Sequence, residues 1–102
     1  MIKVTTDNFE REVLNSNVPV IADFNADWCG PCKMLKPVIE EIEKEKPGYK
    51  FVSINIDDED ILAEKYEVYS IPCIVAFKGG MEVDRSVGLK PKAALISFIE
   101  GV

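Results

Sequence analysis

Cys29 and Cys32 are the residues of this sequence whose type and spacing most directly suggest chemistry. Residues three apart at the beginning of a helix share one face, so their Cα atoms can reach the ~4.4 to 6.8 Å separation that a disulfide bond requires. A Cys-x-x-Cys pair set between a strand and a helix is typical of a redox pair, because structural disulfides are uncommon in reducing compartments. The sequence therefore predicts a pair that cycles between dithiol and disulfide.

The position of Cys29 just before a helix predicts which of the two sulfurs attacks. The thiolate is the nucleophile in disulfide exchange, and an unperturbed cysteine is only about 3% ionised at neutral pH. The free amides and the partial positive charge of a helix N-terminus stabilise a thiolate. We therefore expect Cys29 to be the exposed nucleophile, and Cys32, inside the first turn, to be the less exposed resolving thiol.

Asp23 is the candidate proton acceptor for Cys32. It follows Val20-Ile21-Ala22 and precedes Phe24, a setting that favours burial over an ordinary exposed position on a strand. Burial raises the pKa of a carboxyl group, so such a group could accept the thiol proton near neutral pH.

Five strands and four helices are predicted to position these residues. Period-two and β-branched runs predict strands over 2–5, 18–25, 51–56, 73–78 and 82–87, with the last two joined by a hairpin turn at Gly79-Gly80. Asp7 and Glu10 have the spacing of a capping box for a first helix, and helical periodicity marks 32–45 and 61–66. Pro91 opens a fourth, amphipathic helix. We expect one α/β domain over residues 1–102, with a mixed sheet covered by helices on both faces.

Composition argues against several other classes of protein. Twelve basic and eighteen acidic residues give a net charge of −6 without a basic cluster, which speaks against a nucleic-acid partner. No apolar run reaches the roughly 20 residues of a membrane-spanning helix, and no secretory signal is recognised at the start, so we expect a cytoplasmic protein. Without histidine, and with three cysteines, the chain could complete a zinc site only with carboxylates or a second chain. We therefore expect no metal or other cofactor.

The sequence resembles the thioredoxin family in element order along essentially the whole chain. The residues that carry the resemblance are Ala22-Asp23-Phe24, Ala26, Trp28-Cys29-Gly30-Pro31-Cys32-Lys33, Pro37 and Ile71-Pro72. The hexapeptide Trp-Cys-Gly-Pro-Cys-Lys is far more specific than a bare Cys-x-x-Cys.

The resemblance implies a thioredoxin fold and the reduction of protein disulfides through Cys29, Cys32 and Asp23. It further implies disulfide-containing client proteins, an electron donor of the thioredoxin-reductase type and a monomer. By the same resemblance, Pro72 is a cis-proline facing the cysteines. An extended client segment would bind in a groove whose residues are Trp28, Gly30, Pro31, Ile71, Pro72 and Gly88.

Three residues depart from the family pattern. Asn25 stands where a large aromatic residue is usual, which alters the packing beneath the active-site loop. Ser53 stands where a lysine often accompanies the buried aspartate, so the carboxyl of Asp23 should titrate higher still. Cys73 replaces the threonine that commonly follows the cis-proline, and it is either a small buried strand residue or a third redox thiol.

Two other classes of function stay open at this point. One is a metal or iron–sulfur site that uses Cys73 and a second chain, and the other is a thioredoxin-fold module whose main task is to bind a partner. Within the enzymes, an oxidase or isomerase is conceivable, but Gly30-Pro31 and the cytoplasmic start resemble a reductant.

Overall fold

A five-stranded sheet forms the centre of the computed structural model, which describes all 102 residues. The strands are β1 (Ile2–Lys3), β2 (Val20–Asn25), β3 (Lys50–Asn55), β4 (Cys73–Lys78) and β5 (Met81–Val87). Their order across the sheet is β1-β3-β2-β4-β5. Strands β1 and β2 run parallel to β3, whereas β4 runs antiparallel to both β2 and β5. The predicted mixed sheet is thus confirmed.

Four helices cover the two faces of this sheet. They are a short π-helix (Glu10–Leu14), α1 (Gly30–Glu45), α2 (Asp60–Lys65) and α3 (Lys92–Glu100). The π-helix and α2 pack on one face, around Phe9 and Leu62, and α1 and α3 pack on the other, around Leu35 and Leu95. No helix in the structure combines the length and the apolar character needed to cross a membrane.

Strand β2 lies at the centre of the sheet and carries apolar side chains to both faces. Ala22 and Phe24 belong to the core on the side of the π-helix, and Ile21 belongs to the core beneath α1. Because successive side chains of a strand alternate, Asp23 and Asn25 share the α1 face with Ile21. The chain leaves β2 at Asn25 and enters α1 at Gly30, after four intervening residues, so both cysteines lie at the start of that helix.

The prediction of a capping box is wrong. The first helix begins after Phe9, and no side chain accepts a hydrogen bond from its first amides. Instead, the Oδ1 atom of Asn8 accepts from the backbone N–H of Thr5 at 2.7 Å and closes the preceding turn. Short amide side chains readily form such local bonds to the backbone and compete with capping.

The turn between β4 and β5 packs directly against the end of the π-helix. Gly80 has a φ of +79°, and a Cβ atom there would lie 2.9 Å from the carbonyl oxygen of Leu14. Gly79 has a φ of +60°, but a Cβ atom there would meet nothing within 4 Å. Gly79 and Gly80 therefore share a backbone requirement, and only Gly80 carries a packing requirement as well.

Alanine substitutions at these two glycines should separate the two requirements. We expect Gly79→Ala to lower the free energy of unfolding by about 1–2 kcal/mol, the cost of a left-handed conformation for an L-residue. Gly80→Ala should cost a further ~1–3 kcal/mol because the Leu14 carbonyl must move. Urea denaturation of both variants measures the difference, and equal losses would contradict the contact.

Candidate active site

Cys29 and Cys32 form a disulfide bond at the N-terminus of α1, with their Cα atoms 5.2 Å apart. Cys29 is the N-cap residue, and Gly30, Pro31 and Cys32 make up the first helical turn. Proline is well suited to this turn because the first amides of a helix have no partner within it. The sequence-based expectation that the two sulfurs come within bonding distance is confirmed.

The expected difference in exposure between the two cysteines is wrong for this disulfide state. Each residue exposes 4% of its surface, and both pack with Ala26, Ile56 and Ile71. The position of Cys29 before the first turn therefore does not expose it in the disulfide state.

The sulfur of Cys29 acts as the cap of helix α1. It accepts a hydrogen bond from the backbone N–H of Cys32 at 3.2 Å. This amide is one of the unpaired donors that every helix N-terminus presents, and the helix dipole adds partial positive charge there. A negative charge on this sulfur would therefore be stabilised as soon as the disulfide opens.

Asp23 lies on β2 with 2% of its surface exposed, and it is the one charged residue among the buried set. Burial raises the pKa of its carboxyl group to about 6, while a hydrogen bond from Asn25 and the charge of Lys36 act in the opposite direction. Its Oδ1 atom is enclosed and has no hydrogen-bond partner. The expectations of burial and of a raised pKa are both confirmed.

A polar cavity of about 660 Å³ is shared by Asp23 and Cys32. Asp23, Ala26 and Cys32 all line it, together with Lys36 from the next turn of α1. The carboxyl group and the inner cysteine thus face one space that is large enough for several water molecules. Such a space offers a path for a proton between the two side chains.

A second loop meets the disulfide from the side of β4. The Ile71–Pro72 peptide bond is cis, as the family resemblance implies, and Ile71 packs against the cluster that Ala26, Cys29 and Cys32 form. The N–H of Gly88, which has a φ of +93°, donates to the carbonyl oxygen of Pro72 at 2.8 Å. The structure therefore brings Ile71, Pro72 and Gly88 together beside the cysteines.

Trp28 lies on the outside of the same region with 68% of its surface exposed. Its Nε1 atom donates to the Oδ2 atom of Asp57 at 2.8 Å. Asp57 is held in turn by the Oδ1 atom of Asn55, which accepts from the Asp57 N–H at 2.9 Å. The sequence analysis missed this role of Asp57, although the Asn-x-Asp spacing is a signal for such a turn.

Comparison with known proteins decides the family. A sequence model of the thioredoxin family matches residues 1–101. The chain is 46% identical to the thioredoxin of Rickettsia felis over 97 residues, which are 94% of this chain and 92% of that protein. It is also 46% identical to thioredoxin 1 of a Nostoc species over 99 residues, which are 96% of this chain and 92% of that protein. The identity to the thioredoxin of Pyropia yezoensis is again 46%, over 98 residues, which are 95% of this chain and 92% of that protein. The chain belongs to the thioredoxin family.

Membership in the thioredoxin family, together with the disulfide between Cys29 and Cys32, identifies the function. The protein is a thiol–disulfide oxidoreductase that acts on protein disulfides. The thioredoxin fold expected from the sequence is confirmed by the same match and by the five-stranded mixed sheet.

Two departures from the family pattern meet in the structure. The amide of Asn25 donates to the Ser53 hydroxyl and to the backbone oxygen of Asp23, both at 2.9 Å, and lies 3.5 Å from the Oδ2 atom of Asp23. Ser53 pairs with Asp23 across β2 and β3. Two neutral polar side chains, Asn25 and Ser53, therefore lie next to the carboxyl group of Asp23.

Cys73 lies apart from the disulfide. It exposes 1% of its surface and packs with Phe24 and Val75 in the core on the other face of the sheet. Burial raises the pKa of its thiol, and this favours the neutral form. These contacts support the interpretation of Cys73 as a buried strand residue, and no three side chains of the types that bind metals converge in the structure.

The raised pKa of Asp23 gives stability a pH dependence with a definite sign. Between the ordinary value of 3.8 and about 6, the folded protein holds a proton that the unfolded chain has released. The free energy of unfolding therefore falls as pH rises through this range, by about 3 kcal/mol for a shift of roughly two units.

Asp23→Asn should remove this penalty. We expect the oxidised variant to be more stable than the oxidised wild type by about 2–3 kcal/mol at neutral pH. The gain should shrink to nearly nothing below the unfolded pKa of 3.8. Urea unfolding of both proteins at several pH values measures this, and equal stability at neutral pH would contradict the burial argument.

Proposed function

We propose that this protein works as a reductant of protein disulfides, with Cys29 as the nucleophile and Cys32 as the resolving thiol. The observation that carries the proposal is the hydrogen bond from the Cys32 N–H to the Cys29 sulfur at the start of α1. Of the two sulfurs, only that of Cys29 is the cap of the helix. The helix terminus therefore favours negative charge on this atom in the reduced protein.

The reaction begins when the Cys29 thiolate attacks one sulfur of a client disulfide. A mixed disulfide forms between Cys29 and the client, and the second client sulfur leaves as a thiolate. Cys32 then loses its proton and attacks the Cys29 sulfur, which releases the remaining client sulfur with its bonding electrons. The client disulfide gains two electrons, and the protein ends in the disulfide state seen here.

Asp23 is the proposed acceptor of the Cys32 proton. Both side chains line the same cavity, and burial raises the pKa of Asp23 to about 6. At neutral pH the carboxyl group is therefore largely ionised and yet basic enough to take a proton. It returns that proton to solvent before the next cycle.

The client segment is proposed to bind across the two loops beside the disulfide. Trp28, Gly30 and Pro31 would contact it from the side of α1. Ile71, Pro72 and Gly88 would contact it from the other side, where the Gly88 N–H to Pro72 bond fixes the loop. A groove of this kind offers backbone groups to an extended chain, so binding does not depend on one client sequence.

The remaining parts of the proposal concern the setting of the reaction. A reductase of the thioredoxin-reductase type would return two electrons to the disulfide after each cycle. We propose that residues 1–102 act as one monomeric domain in the cytoplasm. The net charge of −6 argues against nucleic acid as a partner.

Serine substitutions at the two cysteines test the division of roles. We expect Cys29→Ser to reduce the rate of insulin-disulfide reduction to the uncatalysed level, because no nucleophile remains at the helix cap. Cys32→Ser should instead accumulate a stable mixed disulfide with the client, visible by non-reducing electrophoresis and mass spectrometry.

Cys73→Ser is the matched control for these variants. Because Cys73 is buried away from the disulfide, its variant should keep the rate of insulin reduction. Full activity of Cys29→Ser would overturn the assignment of the nucleophile. Partner binding that survives the double variant Cys29→Ser with Cys32→Ser would favour the binding-module alternative.

The pH dependence of the resolving step tests Asp23. A reduced sample mixed with an aromatic disulfide releases one aromatic thiolate on attack and a second on resolution, so stopped-flow absorbance separates the two steps. In the wild type, the second step should accelerate as pH rises through about 6.

Asp23→Asn should lose this acceleration. We expect the second step to slow by about 10- to 100-fold near neutral pH, in the range of a general base, while the first step changes little. Identical pH profiles of the second step in both proteins would remove Asp23 from the mechanism.

A further inference from the structure

Two polar side chains, those of Asn25 and Ser53, lie near Asp23 on the face of the sheet beneath α1. Asn25 contacts Asp23 directly, and Ser53 is the residue of β3 that pairs with Asp23. The Nδ2 atom of Asn25 donates to the Ser53 hydroxyl at 2.9 Å and to the backbone oxygen of Asp23, also at 2.9 Å. The same nitrogen lies 3.5 Å from the Oδ2 atom of Asp23, so one of its two hydrogens is shared with the carboxyl group as the longer branch of a three-centre bond. The amide is thus held from both strands and has little freedom to turn away from the carboxyl group.

The two oxygens of Asp23 have different surroundings as a result. Oδ2 faces the amide donor of Asn25, whereas Oδ1 is fully enclosed and has no partner. A buried polar atom without a partner is rare in folded proteins and calls for an explanation in terms of chemistry or water. Oδ1 is thus the oxygen of this carboxyl group that accepts no hydrogen bond.

Several charged side chains share the cavity with Asp23, on β1, α1 and the loops that follow β2 and β3. They are Lys3, Asp27, Lys33, Lys36, Glu40 and Asp58. Among them, Lys36 has a charge that lowers the pKa of Asp23, and its influence ranks below that of the Asn25 hydrogen bond. From β4, the Cys73 thiol is neutral, since burial raises its pKa. A neutral amide, rather than a paired cation, is therefore the main group that opposes the effect of burial.

We propose that Asn25 and Ser53 are positioning residues for the proton transfer from Cys32: the Asn25 amide, locked by the Ser53 hydroxyl, holds Oδ2 of Asp23 and leaves Oδ1 to receive the proton. The inference rests on the proposed role of Asp23 as the acceptor. The proton passes from the Cys32 sulfur to Oδ1, and the resulting thiolate forms the bond to Cys29. No electron pair moves to or from Asn25 or Ser53, which act only through the carboxyl group.

Asn25→Leu is the first test, because leucine has a similar size and no hydrogen-bonding atoms. Carbon-13 NMR of the labelled Asp23 carboxyl in the oxidised protein gives its titration midpoint without any activity measurement. We expect the midpoint to rise by about one pH unit on loss of the donor. At pH 6 the ionised fraction should then fall from about one half to about one tenth, so release of the second aromatic thiolate should slow roughly five-fold.

Infrared spectroscopy of the protonated carboxyl group tests the assignment of the two oxygens. With the proton on Oδ1, Oδ2 is the carbonyl oxygen that accepts from Asn25, so its C=O stretch should move to higher frequency in Asn25→Leu. Subtraction of the Asp23→Asn spectrum identifies the band. An unshifted band would contradict the assignment.

Substitutions at Ser53 test the lock. Ser53→Ala should raise the midpoint of Asp23 in the same direction as Asn25→Leu but by less, and Ser53→Thr, which keeps the hydroxyl, should restore the wild-type midpoint. Ser16→Ala removes a distant hydroxyl that bonds only to the backbone of Val18, and it should leave the midpoint unchanged. In the Asn25→Leu background, Ser53→Ala should have no further effect, because Ser53 acts through Asn25.

The outcomes separate this inference from the proposed function. If Asp23→Asn slows resolution but Asn25→Leu and Ser53→Ala leave the midpoint and the pH profile unchanged, the positioning role is overturned and Asp23 remains the acceptor. If Asp23→Asn leaves resolution unchanged, both fail, whatever the midpoints do. A shifted titration midpoint of Asp23, with a matching shift in the pH profile of the resolving step, supports both the proposed function and the positioning role of Asn25 and Ser53.

Discussion

The hydrogen bond from the Cys32 amide to the Cys29 sulfur is the interaction on which the rest of the site depends. It exists because α1 begins immediately after Cys29, where the helix presents amides with no partner of their own. Strand β2 fixes where that helix starts, and the cis-proline loop closes the other side of the sulfurs. The redox pair therefore lies where the unpaired amides of the helix N-terminus would need a hydrogen-bond acceptor in any case.

The second constraint is the burial of a charge under that helix. A carboxyl group in the core at the centre of a sheet lowers the stability of the folded protein at neutral pH. The structure retains it between Ala22 and Phe24, in a strand whose first five residues are all buried. A group that weakens the fold and also lines the cavity beside the cysteine pair is typical of a functional position rather than a structural one.

The sequence predicted most of this arrangement because its strongest signals are local. Apolar periodicity located the strands and helices to within a few residues, and the apolar neighbours of Asp23 were enough to predict its burial. The contact of Asn25 with Ser53 was not predicted, because these residues are 28 positions apart and meet only through the register of β2 against β3. The bond from Trp28 to Asp57, 29 positions away, has the same origin. The equal burial of both cysteines was not predicted either, because it depends on packing with Ala26, Ile56 and Ile71, which are brought together by the tertiary fold.

The two outer strands of the sheet have a consequence for the behaviour of the protein in a crowded solution. An open strand edge can pair with the edge of another molecule and start aggregation, and natural sheets limit this with short, charged or irregular outer strands. Here β1 has only two residues, β5 carries Glu82, Asp84 and Arg85, and the pairing of β4 with β5 shifts register between Ala76 and Phe77. Each edge thus offers a poor template for strand pairing to a neighbouring molecule.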